Sequence, residues 1–221
     1  MSGLFNQLVD ANSADWKRYI QHTFVCQIGD GTLNRECFEH YLKQDYLFLI
    51  QFARAFGLAA FKSSTLAELE HAKASMSAIL DTELSLHVEY CESWGITRSE
   101  LESTTESTAN MAYTRYVMER GLAGDLLDLN VALAPCVIGY AQIANWLSNQ
   151  SFLNTTDNPY SSWIEMYSSD EYQQVANAHR QIIDSISLTD ISEQRLARLS
   201  SNFGSATRLE IDFWQMGLDL L

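Results

Sequence analysis

"ECFEHYLKQDYLFLIQFARAFGLAAF", residues 36–61, decides the fold class. In steps of three and four, Phe38, Tyr41, Leu42, Asp45, Phe48, Leu49, Phe52 and Phe56 fall on one stripe, the period of an α-helix buried along one face. Asn34, just ahead of the stretch, suits an N-cap, because its short side chain can accept from an unpaired backbone N–H of the first turn. Downstream, "SSTLAELEHAKASMSAILDTELSLHVEYCESWG" (63–95) opens with Ser64 or Thr65 as cap and ends at Gly95, another long helix. The same period suggests helices near 5–22, 105–121, 124–149, 169–186 and 191–219. Residues 150–162, "QSFLNTTDNPYSS", crowd Asn, Thr, Asp, Pro and Ser together and read as the clearest loop. No alternating strand pattern with a hairpin turn stands out, so the expectation is an all-α chain folded as one domain over residues 1–221.

Composition agrees. Only two prolines, Pro135 and Pro159, occur in 221 residues, where about 5% is ordinary, and long helices tolerate such a scarcity. A net charge of −14 without any cluster of Lys and Arg excludes a nucleic-acid backbone as partner. It mildly favours approach of a cationic small molecule. Cys26, Cys37, Cys91 and Cys136 are scattered without a CxxC pair, which reads as reduced thiols, neither a disulfide framework nor a zinc site. The opening "MSGLFNQLVDANSADWKRYI" lacks a basic start followed by an apolar run, so a cytoplasmic protein with no membrane association is expected.

Three residues are chemically out of place on apolar stripes. Asp45 has Phe38, Tyr41, Leu42, Phe48, Leu49 and Phe52 at helical spacing, and a carboxylate there loses its hydration unless something pairs with it. Either a hydroxyl or amide from another helix satisfies it, or it is functional. Glu210 shares a face with Phe203, Ala206, Thr207, Phe213, Trp214 and Gly217, while Arg208, Asp212 and Gln215 lie opposite. The bland alternative is a boundary residue whose head reaches water. Cys136 sits in "DLNVALAPCVIGYAQIANW" (128–146), whose eleven residues from Val131 to Ala141 carry no charge and no amide. A buried cysteine is usually a small hydrophobe. Pro135, however, breaks or kinks a helix and is at home at the start of a new turn, which would put free amides near the thiol and lower its pKa. Gly139 leaves room beside it. Tyr113, Tyr116, Tyr140 and Tyr167 add rings with polar tips that suit a flat aromatic ligand and helix packing equally.

"YLKQDYLFLIQFARAF", "AYTRY", "ALAPCVIGYAQIA", "NPYSSWIEMYSS" and "RLEIDFWQMG", in this order and spacing, resemble the TenA family of thiaminase II enzymes. "IGDGTLNRECFEHYL", leading into the first of these, is similar to the family's N-terminal pattern, and the match covers essentially the whole chain. The resemblance implies a helical bundle of the haem-oxygenase-like type, a homotetramer, and an enzyme of thiamine salvage. Such enzymes hydrolyse 4-amino-5-aminomethyl-2-methylpyrimidine to the hydroxymethylpyrimidine and also split thiamine, with no metal or organic cofactor. By position in the motifs, Cys136 would be the nucleophile, Glu210 the general acid or base, and Asp45 the holder of the amidine edge of the pyrimidine. Tyr113, Tyr140 and Tyr167 would complete the pocket, with Phe48 and Phe213 as stacking walls. Some relatives carry a tyrosine where Phe48 stands, a difference that bears on substrate preference.

Two other classes compete. "ELEH", Glu68 to His71, has the spacing of one half of a di-iron site on a helical scaffold, but no other histidine follows a glutamate by three residues. Glu83 and His87, four apart, read as a helix-face pair. A non-catalytic relative that binds a pyrimidine or regulates a partner is the second alternative, and the presence of Cys136, Glu210 and Asp45 together favours an enzyme.

Overall fold

The computed structural model describes residues 3–186 and 191–221. Among the described residues every regular element is helical: α1 (Leu4–Ala11), α2 (Ser13–Ile20), α3 (Thr23–Asp30), α4 (Arg35–Lys62), α5 (Leu66–Ser77), a π-helical turn (Ala78–Glu83), α6 (Leu84–Ser93), α7 (Arg98–Ser103), α8 (Thr108–Ala123), α9 (Leu126–Leu147), α10 (Ser161–Ser168), α11 (Asp170–Ile186) and α12 (Glu193–Asp219).

Local chemistry explains most boundaries. Asn34 caps α4, its Oδ1 accepting from the Glu36 N–H at 3.0 Å. Of the two candidate caps for the next helix, Thr65 is used, in a capping box with Glu68. The long helix expected over 63–95 is divided by the π-helical turn and ends at Gly95, whose φ of 85° needs the left-handed region that glycine enters freely. The helix expected near 5–22 is two helices, because Asn12 leaves helical geometry and its amide donates to Leu8 O at 2.9 Å and Ser200 Oγ at 3.0 Å. α3, α7 and α10 have six to eight residues each, too few for a period of 3.6 to stand out. α10 also takes Ser161 and Ser162 from the end of the expected loop.

The chain divides into two compact units, each built from separate stretches of sequence. The first comprises Met1–Leu33 and Asn130–Trp214. Its core is aromatic: Phe5 packs on Trp16 and Phe203 with centroids 6.0 and 5.9 Å apart, and Phe24 stacks on Trp214 at 5.1 Å. The second comprises Asn34–Leu129 and Gln215–Leu221. Here the α4 stripe is the core. Phe38, Tyr41, Leu42, Asp45, Phe48, Phe52 and Phe56 are all buried, and Phe38 meets Trp94 at 4.9 Å. The Gln44 side chain fixes the approach to α8, donating to Thr105 O (2.9 Å) and accepting from the Ser107 N–H (3.0 Å). α9 is long and apolar enough to cross a bilayer, and 83% of its most apolar window is buried within the fold, as a core helix requires.

Candidate active site

In the first unit, α9 carries Cys136 and Tyr140, α10 carries Tyr167, and α12 carries Glu210 and Phe213. α9 runs uninterrupted through Pro135, as the helix expected near 124–149 requires and without the new turn that Pro135 could have begun. Cys136 therefore lies on a mid-helix turn, not at the amide-rich start of a helix, and that source of thiolate stabilisation is absent. Burial on both sides lets a core helix tolerate the missing proline N–H. The Tyr19 hydroxyl donates to the Pro135 carbonyl at 3.1 Å, tying α2 to this turn. Gly139 serves that contact too. A Cβ there would lie 2.8 Å from Tyr19 Oη and closer still to its ring, so the space beside Gly139 belongs to Tyr19 and is not room for a substrate.

From Val131 to Ala141, Cys136 alone is not fully buried. Glu210 is 1% exposed, which rules out a boundary residue reaching water. Tyr140 stands one turn beyond Cys136 and Trp214 one turn beyond Glu210, and their rings approach to 5.3 Å. This contact holds the cysteine-bearing part of α9 against the glutamate-bearing part of α12. Tyr167 meets Tyr140 at 4.8 Å and Trp163 at 4.7 Å. Gln173 of α11 locks the group by donating to Tyr167 O (2.9 Å) and Ala141 O (3.2 Å). Phe213 is buried at 6.4 Å from Trp214.

In the second unit, α4 carries Asp45 and Phe48, and α8 carries Tyr113. The rings of Phe48 and Tyr113 lie 5.3 Å apart, one turn along α4 from Asp45. Asp45 is 6% exposed, and burial pushes its carboxyl up to about 7, so it retains a proton in part at neutral pH. Glu83 is pushed up to about 7 as well, by burial first and by the Asp45 charge second. His87 Nδ1 stands 3.5 Å from Asp45 Oδ2, and its Nε2 bonds the Leu42 carbonyl at 2.9 Å. Burial lowers the pKa of His87, partly offset by that backbone bond. His87, expected to form a helix-face pair with Glu83, thus faces Asp45.

The di-iron alternative loses its one motif. Glu68 Oε2 accepts from the Ser64 and Thr65 N–H groups at 2.7 and 3.0 Å, and His71 Nε2 faces Ser75 Oγ at 3.4 Å. Among the described residues no three His, Cys, Asp or Glu side chains gather to hold a metal ion.

Sequence reasoning missed Tyr19, Trp163, Glu83 and His87 as neighbours of these groups. Tyr19 reaches a carbonyl 116 residues away, and His87 one 45 residues away, separations on which helical spacing carries no information. The spacing of Glu83 and His87, four apart, was a signal, but it did not point to Asp45.

The sequence pattern described as the TENA/THI-4/PQQC family matches residues 11–220. An uncharacterized protein of Haemophilus influenzae is 42% identical over 98% of this chain and 100% of its own length. An aminopyrimidine aminohydrolase of Halalkalibacterium halodurans is 35% identical over 91% of this chain and 89% of its own. Among solved structures, a TenA family transcription regulator from Silicibacter sp. TM1040 superposes with a TM-score of 0.91 at 41% identity, covering 97% of this chain and 96% of that one. Heme oxygenase-1 from Synechocystis sp. PCC6803 superposes with a TM-score of 0.58 at 16% identity over 97% and 91% of the two chains, which identifies the fold as haem-oxygenase-like. On its matched length and on these relatives, the chain belongs to the TENA/THI-4/PQQC family.

Proposed function

We propose that this protein is a thiaminase II of thiamine salvage, which hydrolyses 4-amino-5-aminomethyl-2-methylpyrimidine to its 5-hydroxymethyl counterpart and releases ammonia. The observation that carries this reading is a carboxyl, that of Asp45, buried on the aromatic face of α4 one turn from the paired rings of Phe48 and Tyr113. Kinship with relatives named aminopyrimidine aminohydrolase supports it.

An aminopyrimidine displays an amine donor beside a ring nitrogen. A protonated carboxyl matches both atoms, accepting from the amine and donating to the nitrogen, where a single contact would not select the ring. In the proposed reaction the Cys136 thiolate adds to ring carbon 6 and Asp45 gives its proton to the ring nitrogen. Electrons returning from the dearomatised ring then break the bond between the 5-methylene and its amine, which leaves as ammonia with a proton from Glu210. Water adds to the exocyclic methylene and gives its proton to Glu210. The carbon–sulfur bond breaks, the ring nitrogen returns its proton to Asp45, and aromaticity is restored. Tyr113, Tyr140 and Tyr167 line this pocket in the proposal, with Phe48 and Phe213 against the ring faces.

The active species proposed is a homotetramer. Large apolar side chains such as Phe61 (86% exposed) and Leu66 on the second unit are consistent with burial against other copies. Parallel turnover assays on aminomethylpyrimidine, its formylamino precursor and thiamine test the function. Ammonia release from the first with wild-type protein, abolished in Cys136→Ser, is expected; absence of turnover on all three contradicts the proposal.

A further inference from the structure

We propose that His87 is the positioning residue of Asp45, sharing one proton with it. The inference rests on the reading of Asp45 as the pyrimidine-binding carboxyl only for its consequence; its geometry stands alone.

A carbonyl oxygen accepts and never donates, so the 2.9 Å contact with Leu42 O places a hydrogen on His87 Nε2. In the neutral imidazole Nδ1 is then a bare acceptor, and it faces Asp45 Oδ2 at 3.5 Å. Two lone pairs set against each other in a buried space repel, and one proton between them removes the conflict. Its two positions differ by breaking an O–H bond and forming an N–H bond, with no change in net charge. Burial lowers the affinity of His87 for the proton and raises that of Asp45, which favours the state in which Asp45 Oδ2–H donates to Nδ1. Glu83, one turn before His87, is itself pushed up to about 7, by burial first and by the Asp45 charge second, so it brings no positive charge that would draw the proton off Asp45.

The remaining ionisable groups leave the assignment in place. The Cys91 thiol on α6 is pushed up to about 12, by burial first and by the Asp45 charge second, with Lys43 opposing, so it stays neutral. Of the other helices packed on α4, α5 brings His71, turned to Ser75, α7 brings Glu100, facing Lys43 at 3.9 Å, and α8 brings Tyr113, whose ring lies on Phe48. For recognition the consequence is direct. In the free site the hydrogen lies between Asp45 Oδ2 and His87 Nδ1; when a neutral aminopyrimidine binds, it turns from Nδ1 to the ring nitrogen while the second carboxyl oxygen accepts from the amine, whereas a bare carboxylate sets a lone pair against the ring nitrogen.

The test is difference infrared titration of the protonated carboxyl band, assigned with Asp45→Asn, in wild-type protein and His87→Gln. Gln at position 87 still offers an N–H to the Leu42 carbonyl. The Asp45 titration is expected to fall by roughly one pH unit in the variant, through exchange of the imidazole Nδ1 for a weaker amide-oxygen acceptor. A rise or no shift overturns the shared proton. Calorimetry with 4-amino-5-hydroxymethyl-2-methylpyrimidine separates this from the functional reading. Binding lost at correspondingly lower pH in the variant supports both. Shifted infrared titrations in a protein that binds no pyrimidine support the proton sharing and refute the function.

Discussion

Asp45, Glu210 and Cys136 were legible because each violates the stripe it sits on: two acids and a thiol at positions where the period demands a plain hydrophobe. Burial of Asp45 and Glu210, at 6% and 1% exposure, turned that anomaly into a structural fact. Their partners were not legible, since His87 and Tyr19 meet their contacts across elements far apart in sequence. Glu210→Gln is expected to lower kcat by roughly 10²–10⁴-fold with the fold intact, because in the proposed reaction the leaving amine then loses its proton donor. Steady-state assays with circular dichroism check both halves of that statement. Stability should also report on the acids. Asp45 and Glu83 move from 3.8 and 4.5 to about 7, so between about pH 4 and 7 the folded protein binds protons that the unfolded chain has released. Stability from these groups therefore falls as pH rises through that window. Urea midpoints that decline from pH 5 to pH 8 in wild-type protein and decline less in Asp45→Asn are the expected result.

The long helices were readable because each repeats its apolar period many times, as α4 does from Phe38 to Phe56. Short α3, α7 and α10 offered at most two turns, and the break at Asn12 depends on a side-chain bond to Ser200 that no local pattern encodes. Pro135 misled for a related reason. Its ring argues for a break, but α9 is held by contacts with distant parts of the first unit, among them Tyr19 and Gln173, and packing outweighs propensity. Pro135→Ala restores a donor for the Val131 carbonyl and is expected to raise the urea midpoint by the equivalent of about 1 kcal/mol or more. Gly139→Ala is expected to act oppositely, costing about 1–3 kcal/mol as its methyl drives into the Tyr19 ring. Equal stability of the two variants would mean that Tyr19 does not seat on α9.

For the whole molecule, charge and the proposed assembly are open to direct test. A net charge of −14 would draw in the cationic form of the proposed aminomethyl substrate, which then passes a proton to Glu210 and reacts as the neutral amine, so kcat/KM should decline as ionic strength rises while kcat holds. Sedimentation velocity should show four chains together, and Phe61→Glu should shift the species toward smaller assemblies. Monomeric wild-type protein would remove the tetramer from the account. The central claim is that Cys136, Glu210 and Asp45 act on one planar ring, and crystallography of the protein grown with 4-amino-5-hydroxymethyl-2-methylpyrimidine tests it most directly. The account predicts the ring with its amine and adjacent nitrogen on the Asp45 carboxyl, carbon 6 in van der Waals contact with Cys136 Sγ, and the hydroxymethyl group within hydrogen-bond reach of Glu210. A pyrimidine seated away from any of the three side chains would contradict it.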